Sequence, residues 1–209
     1  MSSVRRVGSR GGPDGPTPGS LADDGPDADP ESVARGVLLR RLTAAPRTRA
    51  ELAADLASRA VPDDVAERVL DRFTEVGLVD DAAYAEMWVR SRHSGRGLSR
   101  RALQHELRRK GVADELAETA LDGIGPDDEV AAAEALVARR LPSTRGLAYP
   151  ARVRRLAGML ARKGYPSRVA HRVVRDALAA ERVEGDEDVE GVEGDEDITG
   201  DPAGADRFD

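Results

Sequence analysis

The sequence contains three copies of one block, at residues 51–70, 102–121 and 155–174, and this repetition constrains the fold more than any other feature. Repetition at a fixed period indicates tandem copies of one local structure. Two leucine columns align across the copies without a gap: Leu52, Leu103 and Leu156, then Leu56, Leu107 and Leu160. Residues four apart lie on one face of a helix, and the second half of each block has similar columns. Each block therefore predicts two amphipathic helices.

The break between the two helices is also repeated. A cation closes the first helix, where it meets the negative end of the helix dipole: Arg59, Lys110 and Lys163. Gly111 and Gly164 then predict left-handed C-caps, and Ala60 predicts a weaker cap in the first copy. We expect the second helix to begin at a side chain that accepts free N–H groups: Asp63, Asp114 and Ser167.

A third helix precedes each block, at about 33–44, 80–93 and 127–141, and the latter two open on the expected N-caps Asp80 and Asp127. The sequence thus predicts an all-α fold, an elongated tandem array of three three-helix repeats with about nine helices. We name them repeat 1 (34–79), repeat 2 (80–126) and repeat 3 (127–182). Because the repeats are rich in Ala, Val and Leu and poor in aromatics, we expect neighbours to share surface rather than to close separate cores.

Acidic residues are concentrated outside the repeats. Residues 183–209 hold twelve acidic side chains and one basic one, and residues 1–33 are rich in Gly, Pro and Asp. Such segments bury too little apolar surface to fold, so we predict a disordered N-terminal tail and a disordered acidic C-terminal tail. The formal charge of -7 describes these tails, because residues 35–182 hold 28 basic and 21 acidic side chains.

Basic residues are concentrated in repeats 2 and 3. Residues 90–110 hold eight basic residues and one acid, and residues 139–175 hold eleven basic residues and no acid. Such clusters indicate a polyanionic partner, most often nucleic acid, although a solvated surface in an arginine-rich chain is the alternative. The candidate binding residues are Arg90, Arg92, Arg96, Arg100, Arg101, Arg108, Arg109, Lys110, Arg145, Arg152, Arg154, Arg155, Arg162, Lys163 and Arg168.

Two loops repeat the sequence Arg-Gly-Leu, at residues 96–98 and 145–147. An arginine beside a flexible glycine at a helix start combines a charged fork with free backbone N–H groups, which suits phosphate or carboxylate. Repeat 1 lacks this glycine, and residues 35–89 hold eight basic and ten acidic side chains. We therefore expect repeat 1 to contact something other than a phosphate backbone.

Tyr84 and Trp88 lie four residues apart and should pack on the same side of their helix. A core or inter-repeat anchor is the favoured interpretation, and a surface platform for stacking bases is the alternative. Proteins that stack on bases interleave aromatic with basic residues, and these basic stretches hold few aromatics. Phosphate contact is therefore favoured over base readout.

The sequence shows no catalytic or metal-binding pattern. It has no cysteine, and His93, His105 and His171 lie on separate predicted helices without metal-ligand spacing. It contains neither a GxxxxGK[ST] phosphate loop nor a G-x-S-x-G nucleophile motif. No apolar run reaches the ~18 residues of a membrane helix. We therefore predict a non-enzymatic, cytoplasmic protein that has no cofactor, no metal and no membrane contact.

The run D-D-x-x-Y-A-x-x-W-V-x-S-R at 80–92, then Gly97, then the helix end E-L-R-R-K-G-V at 106–112 resemble the signature of the RecX family, bacterial regulators of the RecA recombinase. The threefold repeat is similar to that family's fold over about 34–181. The resemblance implies a non-enzymatic modulator that lies in the groove of the RecA–DNA filament. The resemblance implies that such a modulator mainly inhibits the recombinase, ATPase and co-protease activities of RecA in DNA repair and the SOS response. The implied partners are the RecA filament and single- or double-stranded DNA, bound weakly and without sequence preference, and we expect a monomer.

A helix-turn-helix transcriptional regulator is the alternative interpretation. Residues 47–79 have the helix, turn, helix and trailing Gly-Leu-Val of a winged-helix DNA reader. The recognition helix would be 63–76, and it would bring five acids towards DNA phosphates: Asp63, Asp64, Glu67, Asp71 and Glu75. A strong preference for one duplex sequence would favour this alternative.

Overall fold

Residues 29–190 form nine α-helices and no β-strand in a computed structural model, which confirms the all-α prediction. The structure describes these residues and, for 184–190, the backbone only. The predicted disordered tails lie mostly outside the described residues. No helix within 29–190 is both long and apolar enough to cross a bilayer. The chain divides after Gly125 into two compact units, the first with repeats 1 and 2 and the second with repeat 3.

Repeat 1 consists of α1 (Pro30–Ala44), α2 (Arg49–Ala57) and α3 (Asp63–Glu75). Helix α1 begins earlier than predicted because Asp29 caps it, accepting a hydrogen bond from Ser32 N at 3.1 Å. Thr48 opens α2 with a capping box: its hydroxyl accepts from Glu51 N at 3.1 Å, and the Glu51 carboxylate accepts from Thr48 N at 3.3 Å. This reciprocal cap satisfies two N–H groups and fixes the start of α2.

Repeat 2 consists of α4 (Asp81–Arg96), α5 (Arg100–Arg109) and α6 (Asp114–Leu121). Asp80 caps α4 as predicted, accepting from Ala83 N at 2.9 Å. Ser99 caps α5 at the position that corresponds to Thr48 in repeat 1, and both hydroxyl residues are fully buried. Because a buried hydroxyl needs a hydrogen-bond partner, the two caps define equivalent helix starts in the two repeats.

Repeat 3 consists of α7 (Pro126–Arg140), a 3₁₀ turn (Leu141–Thr144), α8 (Tyr149–Arg162) and α9 (Ser167–Glu190). Helix α7 starts at Pro126, so the expected cap Asp127 lies inside its first turn, where its charge still favours the helix dipole. Helix α9 continues past residue 182 to Glu190. The helical part of the chain therefore extends into the segment predicted to be a disordered acidic tail.

Each repeat buries its own apolar cluster. The clusters include Leu38, Leu52 and Leu70 in repeat 1, Leu103, Leu107 and Leu121 in repeat 2, and Leu156, Leu160 and Leu178 in repeat 3. The prediction that a repeat would not close its own core is therefore wrong. Apolar side chains from all three helices, mostly leucines, with one buried ring such as Phe73, Tyr84 or Tyr165, are enough to fill so small a core.

The residues in the left-handed conformation that close the first helix of each block lie where the sequence predicted them. Gly111 and Gly164 have φ angles of 75° and 88°, and Ala60 has φ 55°, which confirms the position of all three caps. An alanine in this conformation is strained because its Cβ approaches the neighbouring carbonyl oxygen.

The N-caps predicted at Asp63 and Asp114 are wrong. Helices α3 and α6 begin after Pro62 and Ala113 and have no side-chain cap. Both aspartates are the first residues of their helices, where a carboxylate favours the positive end of the dipole without capping it. Ser167 is likewise the first residue of α9.

Gly111 should tolerate no side chain, and Gly77 is a matched control because both glycines are left-handed, at φ 75° and 71°. A Cβ on Gly111 would lie 2.2 Å from the Ala50 Cβ of repeat 1, whereas a Cβ on Gly77 meets nothing within 4 Å. We expect Gly111→Ala to lower the free energy of unfolding by about 2 kcal/mol or more, from strain plus overlap, and Gly77→Ala by about 1 kcal/mol, from strain alone. Chemical denaturation followed by circular dichroism measures both losses. Equal losses would show that repeat 1 does not press against Gly111.

Candidate functional site

Side chains of α4 and α5 form a stacked cluster beside repeat 1, which we call the Trp88 cluster. The rings of Tyr84 and Trp88 stack with their centroids 5.7 Å apart. The Arg92 guanidinium lies 4.1 Å from the Trp88 ring centroid, and the Lys110 ammonium lies 4.5 Å from it. Trp88 Nε1 donates to the Glu106 carboxylate at 2.9 Å. The two cations are attracted to the electron-rich face of the indole, which they cover.

Lys110 joins the Trp88 cluster to repeat 1. Its ammonium donates to Glu51 Oε1 at 2.6 Å, and its carbonyl oxygen accepts from the Thr48 hydroxyl at 2.6 Å. Nearby, Arg49 N donates to Asp81 Oδ1 at 2.8 Å. Burial alone would lower the pKa of Lys110, but its hydrogen bonds, the one to Glu51 foremost, raise that pKa above the ordinary value. Tyr84 is buried in the core cluster of repeat 2 and Trp88 packs against that cluster, so the structure supports the core role within the predicted core or inter-repeat anchor, and Lys110 makes the link to repeat 1.

Six of the fifteen candidate binding residues pair with carboxylates of this chain. The pairs are Arg92–Glu106 at 3.9 Å, Arg100–Asp122 at 3.1 Å, Arg108–Asp114 at 2.6 Å, Lys110–Glu51 at 2.6 Å, Arg145–Glu181 at 2.8 Å, and Arg152–Glu181. A cation that is already paired must break or share that contact before it binds a phosphate. The sequence concealed these pairs because the partners are distant along the chain, up to 59 positions apart.

Glu181 joins α9 to the start of α8 and to the loop that precedes α8. Its carboxylate pairs with Arg145 and Arg152, and Arg152 Nε also donates to the buried Thr144 hydroxyl at 3.1 Å. The hydrogen bond from Arg145, and then the one from Arg152, lower the pKa of the Glu181 carboxyl below its ordinary value. These two arginines therefore fasten the start of α8 to the later part of α9.

Seven other candidates are exposed and have no carboxylate partner among the described residues. They are Arg90, Arg101, Arg109, Arg154, Arg155, Arg162 and Arg168. The last two candidates, Arg96 and Lys163, each have a further contact within the chain. An exposed guanidinium without an acidic partner presents its whole fork of N–H donors to solvent, in the geometry that suits a phosphate.

Four further arginines in repeat 3 are exposed and were missed as candidates: Arg139, Arg140, Arg172 and Arg175. Arg168, Arg172 and Arg175 are spaced by four and three residues, so they lie on one face of α9. The signal that finds them was present in the sequence, because all four lie in the acid-free stretch 139–175.

The two Arg-Gly-Leu loops use their backbone donors internally. Gly97 N and Leu98 N donate to carbonyl oxygens of α4 at 2.8 Å and 3.4 Å, and Leu147 N donates to Thr144 O at 2.9 Å. The expectation of free N–H groups for phosphate is wrong for these three residues, because the loops close the preceding helix or 3₁₀ turn. Among the described side chains, at residues 29–183, there is also no group of three or more that could hold a metal ion.

Three consecutive three-helix units define a helical repeat protein, and most of its exposed arginines without a carboxylate partner among the described residues lie in the second and third units. The units match family models described as the first, second and third three-helix domains of RecX, at residues 34–73, 80–121 and 127–174. The chain belongs to the RecX family.

Relatives of high identity carry the name Regulatory protein RecX. One from Thermobifida fusca is 55% identical over 175 residues, which cover 84% of this chain and 92% of the relative. One from Streptomyces coelicolor is 53% identical over 168 residues, 80% of this chain and 89% of the relative. A crystal structure of RecX from Lactobacillus salivarius has a TM-score of 0.63 at 22% identity, over 75% of this chain and 97% of that one. The structural likeness concerns the fold, and the sequence relatives place the chain in a family of regulatory proteins.

The ion pair between Glu51 and Lys110 should couple the stability of repeats 1 and 2. Glu51→Gln keeps an acceptor for the capping box, and Lys110→Met keeps an aliphatic stem. Because the two side chains are only 24% and 22% exposed, a double-mutant cycle should give a coupling of about 1 kcal/mol. The exposed pair Asp64–Arg68 is the control and should give a much smaller coupling, because solvent screens it. Urea denaturation followed by the emission of Trp88, the only tryptophan, measures both cycles, and equal couplings would contradict a role in joining the repeats.

Repeat 3 should lose stability as the pH falls through the lowered pKa of Glu181. Because this pKa is lower in the folded chain than in the unfolded chain, the stabilisation is complete above the unfolded value of 4.5 and is lost below the folded value. We expect Glu181→Gln to be less stable at neutral pH and less sensitive to acid. Asp176→Asn removes one charge from the same helix and is the control. Thermal denaturation across the acid range measures the effect, and a Glu181→Gln variant as acid-sensitive as the unmodified protein would refute it.

Proposed function

We propose that this protein regulates RecA without catalysing a reaction of its own, by binding in the groove of the RecA–DNA filament in the cytoplasm. It mainly inhibits the recombinase, ATPase and co-protease activities of RecA and so tunes DNA repair and the SOS response. Membership of the RecX family supports the regulatory role. The distribution of unpaired arginines supports the mode of binding.

The contrast between repeat 1 and the other repeats is the observation that carries the proposal. Six of the eight arginines in repeat 1 pair with carboxylates: Arg35, Arg41, Arg47, Arg49, Arg68 and Arg72. The exposed arginines without a carboxylate partner among the described residues are concentrated in repeats 2 and 3. A filament groove presents both protein surface and DNA phosphate, so repeat 1 suits the protein and repeats 2 and 3 suit phosphate or acidic groups.

The aromatic side chains of repeats 2 and 3 favour contact with phosphate over stacking on bases. Tyr84 and Tyr165 are buried, and the face of Trp88 is covered by two cations. Tyr149 is exposed but lies under the Arg182 guanidinium. Binding through backbone phosphates gives affinity without sequence preference.

The transcriptional regulator is the less favoured class. Its recognition helix would be α3, and all five acids of that helix are exposed: Asp63, Asp64, Glu67, Asp71 and Glu75. These carboxylates would repel the phosphates on either side of a major groove.

Removal of three unpaired arginines should weaken both DNA binding and RecA inhibition. The variant Arg154→Ala/Arg155→Ala/Arg162→Ala removes cations of α8 that have no carboxylate partner within the described residues. The control, Arg35→Ala/Arg68→Ala/Arg72→Ala, removes three exposed cations of repeat 1, each paired locally. For single-stranded DNA, the slope of log K against log salt should fall by about 2 in the first variant. RecA ATPase on single-stranded DNA, titrated with each protein, measures the loss of inhibition.

Two outcomes would contradict the proposal. If the α8 variant and the control inhibit RecA equally well, the unpaired arginines do not contact the filament. If the unmodified protein leaves RecA ATPase unchanged but prefers one duplex sequence strongly, the transcriptional regulator is the better function.

A further inference from the structure

An open groove lies between α8 and α9, and we call it the repeat 3 groove. Its volume is about 520 Å³, and small apolar side chains line most of it, among them Val153, Ala157, Ala161 and Ala170. Tyr149 lies at one end with 41% of its surface exposed. A concave and mostly apolar lining with a few polar groups at its border is the usual form of a ligand site.

Basic side chains border the repeat 3 groove. Arg154 and His171 line it, and the Arg182 guanidinium carbon lies 4.9 Å from the centroid of the Tyr149 ring. Among the described residues, no carboxylate lines the groove. A ligand that fits this surface therefore combines acidic groups with small or branched apolar side chains.

Residues 191–209 of the chain itself have this chemistry. They hold seven acidic side chains and one basic one, together with Val192, Ile198 and Phe208. Small residues separate these groups, including Gly200, Ala203 and other Gly and Ala positions. The carboxylates complement the cationic border, and the apolar side chains complement the lining.

The C-terminal segment also leaves α9 at the correct end of the groove. Arg182 of α9 contacts Tyr149, which lies at one end of the groove. Helix α9 continues from Arg182 to Glu190, a rise of about 12 Å, so residue 191 lies about 12 Å beyond the Tyr149 end of the groove. The groove follows α8 for about 18 Å, from Tyr149 to Ala161. Nineteen residues reach about 60 Å when extended, roughly twice the path back along the groove. Because the segment is tethered, its effective concentration is high and even a weak contact is populated.

We propose that residues 191–209 bind in the repeat 3 groove of their own chain and shield its cationic border from other polyanions. The carboxylates of this segment compete with phosphate for Arg154 and Arg182. The segment of the free protein therefore inhibits the binding of other polyanions to its own chain. The docking follows from the groove and the charges alone, and only its regulatory consequence rests on the proposed function.

A nitroxide on the C-terminal segment tests the docking in the full-length protein. The chain has no cysteine, so Thr199→Cys provides a single attachment site. We expect paramagnetic broadening to remove the amide NMR signals of Val153, Ala157 and Ala170, while the signal of Leu52 in repeat 1 persists. Intact signals around the groove, or equal broadening in repeat 1, would overturn the proposal. Broadening between isotope-labelled and nitroxide-bearing molecules in a mixture would also overturn it, because a second copy would then be the occupant.

Two further variants test separately whether the docking depends on the carboxylates of the segment and on the open space of the groove. Asp195→Asn/Glu196→Gln/Asp197→Asn should restore the groove signals, whereas the matched control Asp14→Asn/Asp23→Asn/Asp24→Asn should not. Ala161→Phe fills the groove from an exposed position and should release the segment without changing any charge. Broadening that persists in the Ala161→Phe protein would rule out this groove as the binding site.

Binding of a single-stranded oligothymidylate tests the shielding. At low salt, the variant with the three C-terminal substitutions should bind several-fold more tightly than the N-terminal control. The difference should vanish at 1 M salt, where the Debye length is about 3 Å. Equal affinities at low salt would overturn the shielding. None of these measurements contains RecA, so the absence of RecA inhibition is a separate result that concerns only the proposed function.

Discussion

The contact of Lys110 with repeat 1 is the constraint on which the arrangement of the first two repeats depends. Its ammonium bonds Glu51 and its carbonyl accepts from Thr48, while the next residue, Gly111, brings the backbone against Ala50. Lys110 thus supplies an ion pair and a backbone hydrogen bond, and Gly111 supplies the close approach of the two backbones. Since each repeat has its own core, loss of this contact should leave the helices formed and loosen the two repeats, with the bond from Arg49 N to Asp81 still joining them.

The placement of carboxylates decides which basic side chains form ion pairs within the chain and which remain exposed without a carboxylate partner. The acid-rich stretch 111–138 supplies Asp114 and Asp122, which pair with arginines of α5. In repeat 3, Glu181 pairs with Arg145 and Arg152 and leaves the other arginines of the acid-free stretch uncompensated. The density of basic residues along the sequence therefore overstates the number of arginines without a carboxylate partner more in repeat 2 than in repeat 3.

The sequence predicted those features that depend on neighbouring residues. The helices, the repeats and the left-handed caps at Gly111 and Gly164 all follow from local periodicity and local conformation. The capping box at Thr48 was equally readable, from its T-x-x-E spacing, and was missed. The pairing of Lys110 with Glu51 could not be predicted, because it depends on how two repeats pack rather than on either repeat alone. For the same reason, a list of candidate arginines could not be divided into paired and unpaired residues before the fold was known.

Ala60 gives repeat 1 a property that the other repeats lack. It holds the left-handed conformation that glycine holds at the equivalent turns of repeats 2 and 3, and this costs a residue with a Cβ about 1 kcal/mol. We therefore expect the turn between α2 and α3 to open more often than its two counterparts and its amides to exchange with solvent sooner. The first repeat therefore holds a backbone strain at this turn that the glycines of the other two repeats avoid, and a single methyl group is the source of it.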